Sequence, residues 1–368
     1  MKICIFGLAI TSSWGNGHAT TYRALCDALF ARGHSIVFFE HNTEWYQNNR
    51  DLPHPPYCRV TIFEDWKEVR TLARAELRDS DVAVVGSFFP DGATVLDEIF
   101  DAGVPIKAFY DIDTPITLAT LKRQGETYYL LERHLPQLDL YFSFTGGPLL
   151  QELESTMRVK TALPLYCSFD PQKYRELPRN PEFACEMSYM GTYAPDRQPK
   201  VEELLCEPAR RLPRGRFIVA GPQYPSSIVW PGNVERIIHL NPRDHASLYS
   251  SSRLTLNVTR REMMIAGFSP SVRLFEAAAC GATIVSDNWH GLDTFFAPGK
   301  EILIPAGATD AASYLTGYDD SELRNIGRAA RERVLAGHTS ACRALEFEKA
   351  VAIAAQRTSS PMAIGSLR

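Results

Sequence analysis

Four stretches of this chain combine glycines, charges and hydroxyls in ways that chemistry could use. The most informative reads Gly267-Phe268-Ser269-Pro270-Ser271-Val272-Arg273-Leu274-Phe275-Glu276-Ala277-Ala278-Ala279-Cys280-Gly281. Ser271 is a natural N-cap, and the apolar positions after it predict a helix. The start of such a helix offers unpaired N–H groups and the positive end of its dipole, a seat for a diphosphate. Phe268, Ser269, Ser271, Arg273 and Leu274 surround that seat. Glu276 follows in the second turn, among alanines that permit close approach. A buried carboxylate without a partner is costly. A ribose diol fits it, because one carboxylate accepts from both hydroxyls; Arg273, at i,i+3, is the competing partner.

The loop Trp14-Gly15-Asn16-Gly17-His18 leads straight into a helical pattern. Gly15, Asn16 and Gly17 let backbone approach a ligand, and His18 is placed as a general base or a substrate contact. Glu40 closes the next strand, about 20 residues on, which invites a dinucleotide reading and an NAD-dependent oxidoreductase as an alternative. Thr20 stands where a third glycine belongs, however, and the loop is too long for the tight fingerprint turn. Asp111-Ile112-Asp113-Thr114-Pro115 follows a strand. Its two carboxylates suit sugar hydroxyls, a transferred proton or a metal; Asp113-Thr114-Pro115 is also a good helix start. No third ligand stands nearby, so no metal is assigned. Gly191-Thr192, followed by Arg197 at a helix start, suits a diphosphate, since arginine supplies a permanent charge and a forked donor set. Thr145-Gly146-Gly147-Pro148 reads as a loop entering a helix.

The elements that must position these residues alternate. Strands are predicted at Lys2–Gly7, Ser35–Glu40, Arg59–Phe63, Val82–Gly86, Ile106–Tyr110, Leu140–Phe144 and Lys160–Leu163, with helices between most of them. Pro171–Pro181 is the linker candidate. The rhythm then restarts, with strands at Met187–Met190, Arg216–Ala220, Val234–His239, Leu254–Asn257, Thr283–Ser286 and Glu301–Ile304. Helices are predicted at Gln198–Cys206, Arg243–Ser250, Ser271–Ala279, Glu322–Leu335 and Ala341–Ala355. Apolar strands separated by helices predict parallel sheets covered on both faces. The fold class is α/β: two Rossmann-like, doubly wound domains, residues 1–175 and 182–340, facing a central cleft, with a flexible tail at 358–368. Ligands of open α/β sheets bind beyond the carboxyl ends of strands, so the chemistry belongs in those loops.

The chain has 368 residues and a formal net charge of −4. That balance excludes a general attraction to nucleic acid or to anionic lipid. No apolar run approaches the ~20 residues of a membrane helix, and Met1–Ile10 reads as a first strand rather than a signal peptide. The 8 cysteines are scattered without a CxxC pair, which predicts reduced thiols and a cytoplasmic location and makes the Asn257-Val-Thr259 sequon a coincidence. Arg324, Arg328, Arg331 and Arg333 allow at most peripheral membrane contact; with Glu322 and Glu332 interspersed, they read as a solvated helix face.

The segment from Ser269 to Ala282, continued by Ile284-Val285-Ser286 and Gly291-Leu292, closely resembles the C-terminal domain of the GT-B glycosyltransferases. The nearest match is the group named after the CgeB spore-maturation protein. The resemblance spans about residues 185–305. It is weaker over Gly15-Asn16-Gly17-His18 and Arg32-Gly33-His34, which resemble the glycine-rich loop and first helix of many GT-B enzymes. It implies that Glu276 binds the donor ribose. The partner glutamate of the family's Glu-x7-Glu pair is replaced by Phe268. Thr192 and Arg197 occupy the arginine and lysine positions of the phosphate clamp, which leaves one of its two cations. The implied reaction moves a sugar from a nucleoside diphosphate donor to an acceptor hydroxyl on a small molecule, glycan or lipid-linked chain. It needs neither metal nor cofactor, and Arg197 and the helix N-terminus stabilise the departing charge. His18, Asp111 and Asp113 are the candidates for orienting or deprotonating the acceptor, and the 341–357 helix is expected to pack back on the first domain. A GT-B-fold sugar-nucleotide epimerase and a non-catalytic nucleotide-binding protein are the further alternatives.

Overall fold

In the computed structural model, which describes residues 1–14 and 16–359, the chain forms two units. The first runs from Met1 to Tyr166 and takes up the chain again from Ala341; the second is Cys167–Ser340.

The first unit is built on seven parallel strands: β1 (Lys2–Phe6), β2 (Ser35–His41), β3 (Arg59–Phe63), β4 (Val82–Gly86), β5 (Ile106–Asp111), β6 (Leu140–Ser143) and β7 (Ala162–Pro164). Their order is β3-β2-β1-β4-β5-β6-β7. Runs such as Val82-Ala-Val-Val85 lack alternation because both faces are covered. One face packs Phe6, Phe39, Phe63, Trp66, Phe89 and Phe109 into a single core. The Gly17–Ala31 helix starts where Asn16 caps it, its side chain accepting from the His18 N–H at 3.0 Å. The Thr114–Gln124 helix starts with Pro115 in its first turn and stops at Gly125, whose φ of +76° favours glycine. The Ser340–Ser359 helix packs within this unit: Phe347 stacks on Phe142 at 5.1 Å, and Glu348 pairs with Arg32 and His34. Residues 358 and 359, expected in a flexible tail, are helical; residues 360–368 lie outside the described residues.

The second unit holds β8 (Cys185–Met190), β9 (Phe217–Ala220), β10 (Val234–Ile237), β11 (Ser252–Asn257) and β12 (Ile284–Ser286), parallel, in the order β10-β9-β8-β11-β12. The Pro171–Pro181 stretch lies inside this unit. Its backbone N–H groups at Leu177 and Asn180 donate to Ser250 and Ser251 hydroxyls. Glu301–Ile304, expected as a strand, makes only isolated bridges, Val285 with Leu303 and Pro298 with Ile302. Gln198–Cys206 continues to Arg211 through a wide turn at Glu202–Cys206. The Arg261–Ala266 and Ala308–Gly317 helices were not legible from periodicity.

Among the described residues, no helix is long and apolar enough to cross a membrane. Arg331 and Arg333 are turned to packing, donating to the Ala279 and Phe295 carbonyls. The sequon residue Asn257 is fully buried, and six of the eight cysteines are buried.

Candidate active site

Each sheet reverses its winding once, between β1 and β4 in the first unit and between β8 and β11 in the second. At such a point the loops diverge to opposite faces and leave a crevice. The candidate residues collect at these two places.

In the first unit, the Asn16 cap places His18 in the opening turn of its helix. The His18 Nε2–H donates to Asp113 Oδ2 at 2.9 Å. Asp113 holds the N-cap position of the Thr114–Gln124 helix, but its carboxylate turns to the histidine instead of capping. His18 and Asp113, 95 residues apart, therefore form one pair. Asp111 lies beneath them with no exposure to solvent. Its carboxylate accepts from Tyr141 Oη–H, from Thr117 Oγ1 at 3.0 Å and from the Asp113 N–H at 3.2 Å. Burial pushes the Asp111 carboxyl up to about 6, against the pull of the Tyr141 and Thr117 bonds. Its place is under the loop, holding Asp113, and it is not exposed to solvent. His18 Nδ1 is buried and has no partner among the described residues. With the proton held on Nε2 by Asp113, Nδ1 is the basic nitrogen. Phe88 stands edge-on to the imidazole at 5.8 Å, held at φ +61°, a backbone region costly for a ring-bearing residue. Tyr129 at 5.1 Å and the 58 % exposed Tyr128 at 6.5 Å continue this aromatic wall.

Glu40, the carboxylate behind the dinucleotide alternative, is fully buried. It accepts from the N–H groups of Ile10 at 2.7 Å and Thr11 at 2.9 Å, and from the Thr11 hydroxyl. It staples the β1 loop and is not presented to a ribose. Glu40→Ala leaves two buried amides without acceptors, so a loss of at least about 2 kcal/mol is expected in urea unfolding. Wild-type stability in that variant would contradict the stapling role.

In the second unit, Gly191 ends β8 against Arg273. A Cβ at 191 would come within 2.9 Å of both Arg273 Nη2 and Tyr189 Oη. Glycine is what allows the loop to lie on the guanidinium. Arg273 donates Nε–H to the Met190 carbonyl and Nη1–H to Asn257 Oδ1 at 2.8 Å, and lies over the Tyr189 ring at 5.1 Å. Arg197 donates Nη2–H to the Thr192 carbonyl, while its Nε is buried without a partner. Burial lowers the Arg197 pKa below its ordinary value; the charges of Arg273 and Arg260 act in the same direction. Neither Arg197 nor Arg273 makes an ion pair with a carboxylate among the described residues. Two cations without a carboxylate ion pair among the described residues are a receptive pair for a diphosphate.

The Val272–Ala279 helix begins as expected, but Ser271 does not cap it with its side chain; its hydroxyl donates to Asn257 Oδ1 at 2.7 Å. Asn257 thereby binds both Ser271 and Arg273. The Phe268 amide is not available to a ligand, because it donates to the His290 carbonyl at 2.7 Å. Gly267 and Phe268 run through positive φ, +68° and +46°, and the Phe268 ring meets His290 at 4.8 Å. The Ser269 hydroxyl is buried against Met263 Sδ, and Leu274 is buried in the core, so neither side chain is offered as a donor-site contact. Glu276 is 4 % exposed. Burial pushes its carboxyl up to about 7, opposed by a hydrogen bond from Tyr174 and the charge of Arg273. Gly191, Thr192, Arg197, Ser271, Arg273 and Glu276 are gathered in this unit, and Asn16, Gly17, His18, Asp111 and Asp113 in the first. Gly15 lies outside the described residues. Gly146 packs on Tyr166, where a Cβ would strike the hydroxyl.

Residues 197–349 match a family model described as glycosyl transferase-like. The fold matches sucrose-phosphate synthase of Thermosynechococcus elongatus with a TM-score of 0.63 at 14 % identity, covering 98 % of this chain and 100 % of that one. Anabaena HepE, in complex with UDP and glucose, matches with a TM-score of 0.65 at 12 % identity, over 96 % and 100 %. An alpha-glucosyltransferase in complex with UDP matches with a TM-score of 0.69 at 13 % identity, over 95 % and 99 %. No curated protein matches the chain significantly in sequence. The chain has the GT-B fold of these glycosyltransferases. The identities with the solved structures are too low to carry more than the fold, so the residues of the chain must speak for its chemistry. Asn257, Tyr189, Tyr174 and His245 belong to the cluster of the second unit although nothing in the local sequence singles them out. Asn257 has a signal in retrospect: an amide at the carboxyl end of a central strand.

Proposed function

We propose that this enzyme transfers a sugar from a nucleoside diphosphate donor to an acceptor hydroxyl without a metal ion. The observation that carries the reading is the Arg197–Arg273 pair, which makes no carboxylate ion pair among the described residues, with Glu276 in the same cluster. The barrier in glycosyl transfer lies in breaking the bond to the diphosphate while positive charge grows on the sugar ring. The two guanidiniums and the first-turn N–H groups of the Val272–Ala279 helix hold the departing negative charge. Glu276, when ionised, accepts from both ribose hydroxyls. On the acceptor side, Asp113 orients His18 and stabilises its protonated form, and His18 takes the acceptor proton. The neutral aromatic wall of Phe88, Tyr129 and Tyr128 suits an acceptor with an apolar ring face, such as a glycan or a hydroxylated aromatic. That HepE and the alpha-glucosyltransferase are complexes with UDP supports a nucleotide donor here. The buried cysteines suit a reducing cytoplasm.

A thermal-shift screen of sugar nucleotides tests the reading, since a ligand that favours the native state raises the melting temperature. A shift with at least one nucleoside diphosphate hexose, lost in Arg273→Ala, is the expected result. No shift with any of them would overturn the proposal. Turnover with the identified donor should be unchanged by EDTA. Inactivation by EDTA with recovery on adding magnesium would return Asp113 to the list of metal ligands.

A further inference from the structure

We infer that Asn257 is the positioning residue for Arg273: its side-chain amide fixes the guanidinium with the Nη2 edge free and, being neutral, leaves the arginine's charge for the diphosphate. This rests on the donor-site reading above and goes further by naming what aims its cation and why an amide stands there.

All of the contacts are local to the second unit. Asn257 is the last residue of β11 and pairs in register with Ser286, the last residue of β12. It is fully buried. Its Oδ1 accepts from Arg273 Nη1–H at 2.8 Å and from the Ser271 hydroxyl at 2.7 Å. Its Nδ2 donates to Ser286 Oγ at 3.0 Å and to Thr259 Oγ1 at 3.4 Å. Arginine has donors only, so the amide oxygen must face it, and Asn257 has a single allowed orientation. The chain of donors then continues away from the arginine. Ser286 donates its hydroxyl to the Asp287 carbonyl at 2.9 Å. The Asp287 carboxylate accepts from the Thr259 N–H at 3.0 Å and from its hydroxyl at 2.9 Å. A buried network whose members are all paired is rigid and holds one arrangement.

The guanidinium is left with a defined face. Of its five N–H groups, Nε–H goes to the Met190 carbonyl and one on Nη1 to Asn257. Nη2 makes no hydrogen bond among the described residues and lies against Gly191, where a Cβ would come within 2.9 Å of it. Both groups that hold Arg273 are uncharged, a backbone carbonyl and an amide. A carboxylate at 257 has the same shape and accepts the same bonds, but it pairs the charge. Asparagine thus gives a cation that is fixed and not neutralised.

The probes are UDP-glucose, GDP-mannose and dTDP-glucose, whichever raises the melting temperature. Calorimetry at low and high salt reads affinity and its ionic-strength dependence, and melting curves check folding. The wild type should bind more weakly as salt rises, because an exposed cation edge is screened. Asn257→Asp supplies a counter-ion in the same place; it should weaken binding roughly tenfold or more, the range for a bond to a charged group, and flatten the salt dependence. Asn257→Ala releases the guanidinium but leaves it charged; it should also bind weakly, with the wild-type salt dependence. If Asn257→Asp does not fold, Asn257→Ala and Ser286→Ala carry the test, and both should weaken binding, Ser286→Ala by less. If the wild type binds none of the probes, or Arg273→Ala binds as well as wild type, the donor-site reading itself fails. If Arg273→Ala loses binding while both Asn257 variants keep wild-type affinity, only the positioning role is wrong. A weak Asn257→Asp with an unchanged salt dependence also overturns it, since the amide would then serve the fold and not the charge.

Discussion

His18→Ala lowers turnover by about 10²–10⁴-fold, the range for loss of a general base, and leaves sugar-nucleotide affinity at the wild-type value. The affinity half follows from location. His18 belongs to the first unit, whereas Arg197, Arg273 and Glu276 all belong to the second. The turnover half follows from the pair. Asp113 Oδ2 holds the Nε2 proton at 2.9 Å, which fixes the ring and leaves Nδ1 to accept. Asp113→Asn should therefore cost nearly as much as His18→Ala, because an amide cannot stabilise the imidazolium and need not hold the same tautomer. The double variant should be little worse than either single one, since residues acting as a unit are not additive. Asp111→Asn distinguishes support from chemistry. Its side chain touches Tyr141, Thr117 and the Asp113 amide, so the expected effect falls on stability first. Initial rates measured with a saturating donor check the set. Full activity in His18→Ala removes the histidine from the reaction.

Glu276→Ala weakens sugar-nucleotide binding by about 1.5–3 kcal/mol, the range for hydrogen bonds to a charged group. That is roughly 10- to 150-fold in Kd. The companion Glu276→Gln should change stability in the opposite sense. The folded pKa of about 7 lies above the ordinary 4.5, so the folded protein holds a proton that the unfolded chain has released. Stability contributed at this site therefore falls as pH rises from about 4.5 to 7 and stays low above it. Glutamine has no charge to bury. Glu276→Gln should melt higher than wild type at pH 8 and lose that advantage below about pH 4.5. Weaker binding with greater thermal stability marks a group kept for function at a cost to the fold. Calorimetric titration and melting curves at two pH values read both. Equal nucleotide affinity in Glu276→Ala would refute the ribose assignment.

Much of this was legible along the chain. Arg59–Phe63 and Val82–Gly86 are strands at the expected residues, because a strand buried on both faces must be an unbroken apolar run. The Val272–Ala279 helix was readable from Ser271 and its alanine-rich body. Glu301–Ile304 has a strand's composition but no ladder, since composition cannot say whether a neighbour lies at hydrogen-bonding distance. The Arg261–Ala266 helix is too short for its period to show.

The site divides in the same way. Residue type and local spacing were enough to nominate His18, Asp113, Arg197, Arg273 and Glu276 as candidates, because a loop at a strand end or a helix start has the same local chemistry in any fold. Distance between separate segments was not in the string. Tertiary structure decided that Asp113, and not Asp111, faces His18, and that Glu40 staples a loop. It also decided that the Phe268 amide is spent on His290 and that a tyrosine from the 167–183 segment meets Glu276. Each of these is a contact closed across many residues, and the burial that gives it strength comes from packing that no single segment can make alone.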